Sequence, residues 1–160
     1  MSTLLTRGQR RIWELRLNGL KPVDISREIG KSRQHVSKSL QSVDSKIYRA
    51  MVEAARMNRV MIKTMDPERG FLLGYSQEFQ SSVLVTFSPS RGITIWKPHE
   101  GQCEECPDRE SCKAHLLEEA ERLDVSIDEE ERELPPAELA GLIYGRAWPE
   151  TEQVFSEADA

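Results

Sequence analysis

The sequence predicts an α+β protein in which helices come first and a small antiparallel sheet follows. Apolar residues recur at helical spacing through roughly the first sixty residues. The runs FLLGY and SVLVTF come next, rich in β-branched and aromatic residues and followed by turn-forming residues. All 3 cysteines lie between residues 103 and 112, directly after the predicted strands. With 160 residues, the chain can form one compact domain and a smaller appended module.

Charge divides the chain into two parts. Residues 1–65 contain 14 Lys and Arg against 5 Asp and Glu, a formal charge of +9. Residues 66–160 contain 8 against 22, a formal charge of −14. This asymmetry predicts two modules with different partners, and the positive one suits a polyanion. Since no apolar run reaches the ~18 residues of a membrane span and the N-terminus lacks a signal-like stretch, we expect a cytoplasmic protein without a membrane partner.

The first helix is predicted over the stretch LTRGQRRIWELRLNGL. Thr6 and Gln9 have the spacing of a capping box, which closes free N–H groups of the first turn. Asn18 and Gly19 end the helix, because both residues tolerate a left-handed backbone. The apolar stripe of this helix consists of Ile12, Leu15 and Leu17.

Two further helices follow, and a glycine turn joins them. Pro22 suits the first turn of a helix that Gly30 ends, and Ser32 is a suitable N-cap for the next helix. This order predicts a helix-turn-helix within a basic N-terminal bundle. The third helix carries a row of apolar residues, Val36, Leu40, Val43 and Ile47.

The first turns of the third helix carry polar side chains on the face opposite the apolar row. Arg and Gln can make bidentate contacts with guanine and adenine in the major groove, and Ser and Lys can reach bases or phosphates. We therefore expect this helix to bind double-stranded DNA, with the other Arg and Lys of residues 7–63 contacting phosphates. The expected DNA-contacting residues are Ser32, Arg33, Gln34, Ser37, Lys38 and Gln41.

Two motifs within residues 4–50 resemble a known family. The patterns LT-x-x-Q-x-x-I-x-x-L-R-x-x-G-L and D-I-S-R-x-I-G-x-S-R-x-x-V-S resemble the helix-turn-helix of archaeal Tfx-type transcription regulators. They are also similar to sigma-factor region 4 and LuxR-type domains. The resemblance implies a transcription regulator with the second helix of the motif in the groove. By the same resemblance, the residues that touch DNA are Ser32, Arg33, Gln34, Ser37 and Lys38.

The third helix is expected to continue beyond the motif, because Met51 and Ala54 extend its apolar row toward Val60. This extension is either a dimerisation helix or a helix that packs on its own domain. We favour a homodimer, because a palindromic DNA site requires one, and the transcription machinery is a further expected partner. The first domain is assigned to residues 1–65.

A hairpin is predicted in the middle of the chain. Asp66-Pro67 ends the helical stretch, because the residue before a proline avoids helical backbone. Strands are expected in FLLGY, SVLVTF and ITIW, with turn chemistry at residues 88–92. Two or three strands alone are marginally stable, so the hairpin needs another source of stability. We assign it, with the cysteines, to a module over residues 66–125.

The cysteine cluster is typical of a metal site. Its C-x-x-C knuckle precedes a Cys and a His three residues apart, which a helix capped by Ser111 would place on one face. Clustering of every cysteine disfavours a disulfide framework and favours a closed zinc site. The predicted zinc ligands are Cys103, Cys106, Cys112 and His115.

An iron–sulfur cluster is the competing prediction. His99 precedes the cysteines at a spacing similar to the His-plus-three-Cys pattern that binds a [4Fe–4S] cluster in iron hydrogenases and in large subunits of complex I. The segment CEECPDRESC also resembles the cluster-binding segment of WhiB-type regulators, although a fourth cysteine is absent. Both ligand sets stay open, since His115 suits zinc and His99 suits the cluster.

The remainder is expected to be a charged linker and a short helix from Pro136 over residues 126–148, then a disordered acidic tail over residues 149–160. We expect the whole chain to be a DNA-binding transcription regulator with a metal-stabilised or metal-sensing module. It is not expected to be an enzyme, because it has no HExxH, G-x-S-x-G or phosphate-binding glycine loop. The alternatives are an iron–sulfur redox-sensing regulator and an adaptor whose metal module binds another protein.

Overall fold

The computed structural model describes residues 4–97 and 103–156. The chain divides into two compact units, Met1–Trp96 and Lys97–Ala160. The first unit contains three helices and four strands, so the predicted α+β class is confirmed. No helix within the described ranges is both long and apolar enough to span a bilayer. The elements of the first unit are α1 (Arg7–Leu17), α2 (Pro22–Ile29), α3 (Arg33–Met57), β1 (Val60–Asp66), β2 (Phe71–Ser76), β3 (Ser81–Ser88) and β4 (Gly92–Trp96).

Capping residues set the boundaries of the first three helices. The Gln9 N–H donates to the Thr6 hydroxyl at 3.2 Å and the Thr6 N–H donates to Gln9 Oε1 at 3.1 Å, which confirms the capping box. Gly30 ends α2 with a left-handed φ of 67°, which costs glycine little. The hydroxyl of Ser32 caps α3 by accepting from the N–H of His35 at 3.1 Å.

α3 belongs to two hydrophobic clusters at once. Its first half packs with α1 and α2 in a cluster formed by Ile12, Leu15, Ile25, Val36 and Leu40. Its second half packs against the sheet in a cluster formed by Trp13, Val43, Ile47, Met51, Ala55, Val60, Leu72, Val83, Val85 and Phe87. Trp13 also donates from Nε1 to the Glu68 carbonyl at 2.6 Å, which ties α1 to the turn after β1. The apolar row of α3 is confirmed, with Ala55 rather than Ala54 buried after Met51.

The sheet is an antiparallel meander of four strands in the order β1-β2-β3-β4. The sequence predicted a hairpin of two or three strands. The additional strand is β1, which lies in the segment that was expected to extend α3. The helix ends before it because Asn58 occupies the C-cap and Arg59 adopts a left-handed φ of 53°. The following residues then pair with β2 along the length of β1.

The sheet forms part of the first compact unit. α3 contacts β1, β3 and β4, and the boundary between the two units follows Trp96. The division predicted from sequence, with a boundary after residue 65, instead grouped the hairpin with the cysteines. The hairpin was expected to need an outside source of stability, and α3 provides one by packing against one face of the sheet.

Gly74 marks a close approach of two strands. The register of β1 against β2 shifts between Ile62 and Thr64, which produces a bulge. A Cβ atom on Gly74 would lie 2.4 Å from Val60 Cγ1 and 2.7 Å from the Met61 carbonyl oxygen. A larger residue at this position would therefore push β1 away from β2.

The second unit consists of short helices. α4 packs against α6, which starts at Pro136 as predicted. The elements are 3₁₀ turns at Cys103–Glu105 and Pro149–Thr151, with α4 (Arg109–Arg122), α5 (Glu129–Arg132), α6 (Pro136–Ala147) and α7 (Glu152–Ser156). The buried apolar side chains of α4 and α6 include Leu116, Ala120, Leu139, Ala140, Ile143 and Tyr144.

A buried ion pair lies on α4. Arg122 donates from Nε and Nη2 to the two carboxylate oxygens of Glu119 at 2.9 and 2.6 Å. The two side chains are only 7% and 1% exposed. The hydroxyl of Tyr144 on α6 is 3.5 Å from Glu119 Oε2. This small unit therefore places a pair of opposite charges among its buried side chains.

The linker and the end of the chain are more structured than predicted. In α5, Asp128 and Glu131 form a capping box, and Arg146 of α6 donates to the Glu131 carboxylate at 3.0 and 2.5 Å.

The disordered tail predicted from residue 149 does not fit residues 149–156, because Val154 is buried in α7 and Phe155 stacks on Tyr144. These two apolar side chains outweigh the acidic composition of the segment. Residues 157–160 lie outside the described part.

Candidate nucleic-acid interface and cysteine segment

The six side chains predicted to contact DNA are all exposed at the start of α3. They are Ser32, Arg33, Gln34, Ser37, Lys38 and Gln41. Val36 and Leu40, in the same turns, are buried in the cluster shared with α1 and α2. Residues three and four apart are neighbours on a helix surface, so the predicted residues form one polar face. We call this set of six residues the recognition face.

Polar contacts between α1 and α3 fix the orientation of the recognition face. Arg16 donates from Nη1 and Nη2 to the Asp44 carboxylate at 3.1 and 2.5 Å. Gln9 Nε2 donates to Ser42 Oγ at 3.1 Å, and Lys46 Nζ donates to Gln9 Oε1 at 2.8 Å. Arg16 and Lys46 therefore bind other parts of the protein, although both were counted among the phosphate-contacting cations. These pairs join residues far apart in sequence, so no local pattern could reveal them.

Exposed cations lie on the recognition face and in the segment that precedes it. The first unit carries 16 Lys and Arg against 8 Asp and Glu, a formal charge of +8. In the part of the chain that the structure describes, the exposed cations of α2, the turn and the start of α3 form no ion pair: Lys21, Arg27, Lys31, Arg33 and Lys38. Such side chains are available to a polyanion, because no carboxylate in that part neutralises them.

The predicted zinc ligands lie in the second unit, around the start of α4. Cys103 is buried in the 3₁₀ turn, Cys106 is exposed just after it, and Cys112 is half-buried in α4. His115 is 4% exposed and follows Cys112 by one helical turn. The 3₁₀ turn contacts α4, and the Cys106 N–H donates to the Cys103 carbonyl at 3.3 Å. The four residues thus share one region of the second unit.

α4 begins earlier than the sequence predicted. Its first residue is Arg109, and Asp108 occupies the N-cap position in place of Ser111, which lies inside the first turn. The Cys112 N–H donates to the Asp108 carbonyl at 2.8 Å, so Cys112 is already within the helical hydrogen-bond pattern. Cys112 and His115 therefore have the i and i+3 spacing on one helix that was expected of two ligands.

The described residues show no assembled metal-binding group. Within residues 4–97 and 103–156, no three His, Cys, Asp or Glu side chains are arranged to hold a metal ion. His99, the alternative ligand, lies outside the described residues. Three thiols and an imidazole nevertheless have the donor chemistry that suits zinc or an iron–sulfur cluster. The metal and its ligands stay predictions.

Two candidate sites are therefore present: a cationic recognition face on α3 and a thiol-rich segment at α4. The resemblance of residues 4–50 to Tfx-type regulators stays a prediction from two motifs. No protein-family model, curated protein or solved structure matches this chain.

Proposed function

We propose that the protein is a DNA-binding transcription regulator that reads double-stranded DNA with the first turns of α3. The exposed recognition face carries this proposal. Its six polar side chains are exposed, while Val36 and Leu40 hold the opposite side of the same turns in a hydrophobic cluster. A helix presented in this way can enter a major groove without uncovering its core.

The side chains of the recognition face suit different parts of a duplex. A guanidinium such as that of Arg33 can donate to guanine O6 and N7, and the amide of Gln34 can pair with adenine N6 and N7. Lys38 and Ser37 suit phosphate oxygens, which position the protein without reading sequence. The contacts of Arg16 with Asp44 hold α3 against α1, so the readout residues stand on a rigid support.

The proposal is tested by selecting binding sites from a random pool of duplexes and measuring affinity by fluorescence anisotropy. Arg33→Ala is expected to weaken binding to the selected site by about 5- to 150-fold, because one bidentate base contact contributes about 1–3 kcal/mol. Binding to an unrelated duplex should weaken much less, since only the specific complex contains that base contact.

Arg132→Ala is the control. Arg132 is an exposed arginine of α5 in the second unit and does not belong to the recognition face. Its loss is expected to leave affinity for the selected site nearly unchanged. Equal losses in the two variants, or a selection that enriches no sequence, would refute base readout by α3.

We further propose that the regulator binds DNA as a homodimer. Of the five large apolar side chains exposed in the described residues, four lie between residues 48 and 62: Tyr48, Met57, Met61 and Ile62. This region comprises the second half of α3 and part of β1, at a distance from the recognition face. A second copy related by a twofold axis would present two recognition helices to a palindromic site. The bulge in β1 disfavours strand pairing, so we expect contact through side chains.

Sedimentation equilibrium tests the dimer. The unmodified chain is expected to sediment as a dimer, and Tyr48→Glu as a monomer, because a buried carboxylate at the interface would be strongly unfavourable. Phe79→Glu is the control, since Phe79 is the one exposed large apolar residue of this set outside residues 48–62. A monomeric unmodified chain that binds a single half-site would refute the dimer.

For the second unit, we propose that Cys103, Cys106, Cys112 and His115 bind zinc. Two observations support the proposal. The donor set is of the Cys₃His type, and the 3₁₀ turn that contains Cys103 and directly precedes Cys106 contacts the helix that carries Cys112 and His115. A metal link between these elements would stabilise a unit made of short helices.

Metal analysis and a visible spectrum of anaerobically purified protein test the zinc proposal. A colourless protein with about one zinc per chain is expected. Cys106→Ser should lose most of the zinc, and its exposed position keeps the packing intact. His35→Asn, at an exposed histidine of α3, should retain it. A brown protein with several irons would favour the [4Fe–4S] alternative with His99, and a colourless protein without metal would refute both.

A further inference from the structure

A cavity of about 370 Å³ opens in the first unit between α1 and the end of β3. Side chains of opposite character line its two sides. α1 contributes Arg7, Arg10, Arg11 and Glu14, and the other side consists of Leu5, Phe87 and Pro89. The volume lies within the range of small-ligand sites, about 300–1,000 Å³. None of these residues belongs to the recognition face or to the cysteine segment.

The α1 side of the cavity is cationic. Arg10, Arg11 and Glu14 follow Arg7 by three, four and seven positions, so the four residues lie along one surface of the helix. Arg10 Nε is 2.8 Å from Glu14 Oε1, and Arg11 Nη2 is 3.7 Å from Glu28 Oε1. Arg7 is exposed and forms no ion pair in the described residues. Glu14 and Glu28 each lie beside one of these arginines, so the guanidinium of Arg7 supplies the excess positive charge.

The opposite side of the cavity is apolar and is part of the core. Phe87 packs on Trp13 with ring centroids 5.4 Å apart, and its N–H donates to the Gly70 carbonyl at 2.9 Å. Pro89 is buried in the turn between β3 and β4, and Leu5 packs at the edge of the same cluster. These contacts hold the apolar wall in place, whereas the arginines have room to adjust.

We propose that this cavity binds a small organic anion with a carboxylate on an apolar or aromatic body. A guanidinium can form two parallel hydrogen bonds with a carboxylate, and Leu5, the half-buried residue on the apolar side, can contact the apolar body. An inorganic anion would leave the exposed part of Leu5 uncovered, and a neutral apolar molecule would leave the arginines without an acceptor. The inference does not rest on DNA binding, because it uses no residue of the recognition face.

The test uses the full chain and 4-fluorobenzoate, observed by ¹⁹F NMR. The signal of the probe should broaden with protein and recover when benzoate is added. Benzamide, which has the same apolar body without the charge, should not displace the probe. Inorganic phosphate, which has charge without the apolar body, should displace it much less than benzoate does.

Variants locate the site. Arg7→Gln is expected to weaken probe binding about tenfold, the effect of one charge-assisted hydrogen bond. Leu5→Ser should also weaken it, because the apolar wall is interrupted. Arg27→Gln is the control, since Arg27 is an exposed cation of α2 outside the cavity, and its loss should leave probe binding unchanged. Circular dichroism verifies that each variant is folded.

Three results would overturn the inference. Displacement by benzamide as readily as by benzoate would show that charge plays no part. Equal displacement by phosphate, together with equal losses in Arg7→Gln and Arg27→Gln, would show only a diffuse basic surface. No displacement by any carboxylate in the millimolar range would show that the cavity binds none. Duplex binding measured on the same samples separates these failures from a failure of the DNA-binding proposal.

Discussion

Individual residues determine how the first unit packs. Gly74 permits the bulge of β1, because a Cβ atom there would overlap with Val60 and with the Met61 carbonyl. Arg16 pairs with Asp44 and also donates from Nη2 to the Glu68 carbonyl at 3.1 Å. One guanidinium therefore joins α1, α3 and the turn after β1. Neither residue touches the recognition face, yet both affect the support on which it stands.

Gly74→Ala is expected to lower the free energy of unfolding by about 1–3 kcal/mol, because the added methyl group must displace β1. Denaturant unfolding measures the change. Gly8→Ala is the control, since an added Cβ at Gly8 meets nothing within 4 Å. Because Gly8 lies in α1, alanine there should raise stability by up to about 1 kcal/mol. A Gly74→Ala protein as stable as the unmodified chain would contradict the close approach of the strands.

Among the elements, local signals predicted the first three helices but missed β1. The capping pair of Thr6 and Gln9, and the turn at Gly30, act within a few residues, so sequence alone reveals them. β1 becomes a strand by pairing with β2, and its middle residues are exposed, so it lacks the alternation of a half-buried strand.

The spacing of the cysteines predicted their common location near α4. It did not predict their mutual geometry, which depends on how the 3₁₀ turn meets the helix.

The buried ion pair of α4 predicts a sensitive position in the second unit. Glu119→Ala is expected to cost about 3–5 kcal/mol, because it leaves the Arg122 guanidinium buried without its carboxylate. Glu118→Ala is the exposed neighbour and should change stability by less than about 0.5 kcal/mol. Replacing both Glu119 and Arg122 by methionine should recover much of the loss. Equal stability of the Glu119→Ala and Glu118→Ala proteins would show that the pair contributes nothing.

The contact between α5 and α6 predicts a dependence on pH. The hydrogen bond from Arg146, and then that from the Asp128 N–H, lower the pKa of Glu131. Because its pKa is lower in the folded state, this stabilisation is present at neutral pH and is lost as the pH falls through the folded pKa. Glu131→Gln keeps the capping geometry but removes the charge.

We therefore expect Glu131→Gln to be less stable than the unmodified chain at about pH 7, with the difference shrinking as the pH falls through the lowered pKa of Glu131. Urea unfolding over a series of acidic pH values measures it. Glu130→Gln, at the exposed preceding position, should show no such trend. A difference for Glu131→Gln that persists at low pH would mean that the charge of this carboxylate is not its cause.

Across the whole molecule, charge is strongly segregated. The first unit carries a formal charge of +8, with 16 Lys and Arg against 8 Asp and Glu, and residues 97–160 carry −13, with 6 against 19. In the proposed complex with a duplex, attraction would come from the first unit, and the second unit would oppose close contact with phosphates. This balance would favour release from random DNA, where no base contacts add to the electrostatic attraction.

The salt dependence of DNA binding measures this attraction. Affinity for the selected duplex is expected to fall between about 50 and 200 mM salt, as counterions compete for the phosphates. Lys38→Ala should make the slope of log affinity against log salt shallower by about one, because one phosphate contact is lost. Arg132→Ala should leave the slope as it is. An unchanged slope in Lys38→Ala would remove Lys38 from the phosphate contacts.

α3 extends from the recognition face to the sheet as a single helix of 25 residues. Such a helix is about 37 Å long, so a tilt of about 5° at one end moves the other end by about 3 Å, roughly the length of a hydrogen bond. Its far half is packed among Met51, Phe87 and their neighbours in the sheet cluster. A small rotation of α3 about its sheet-packed half therefore shifts the recognition face at the other end. In the proposed DNA complex, the match between Arg33 and a base edge would therefore depend largely on packing in the sheet cluster, far from the duplex.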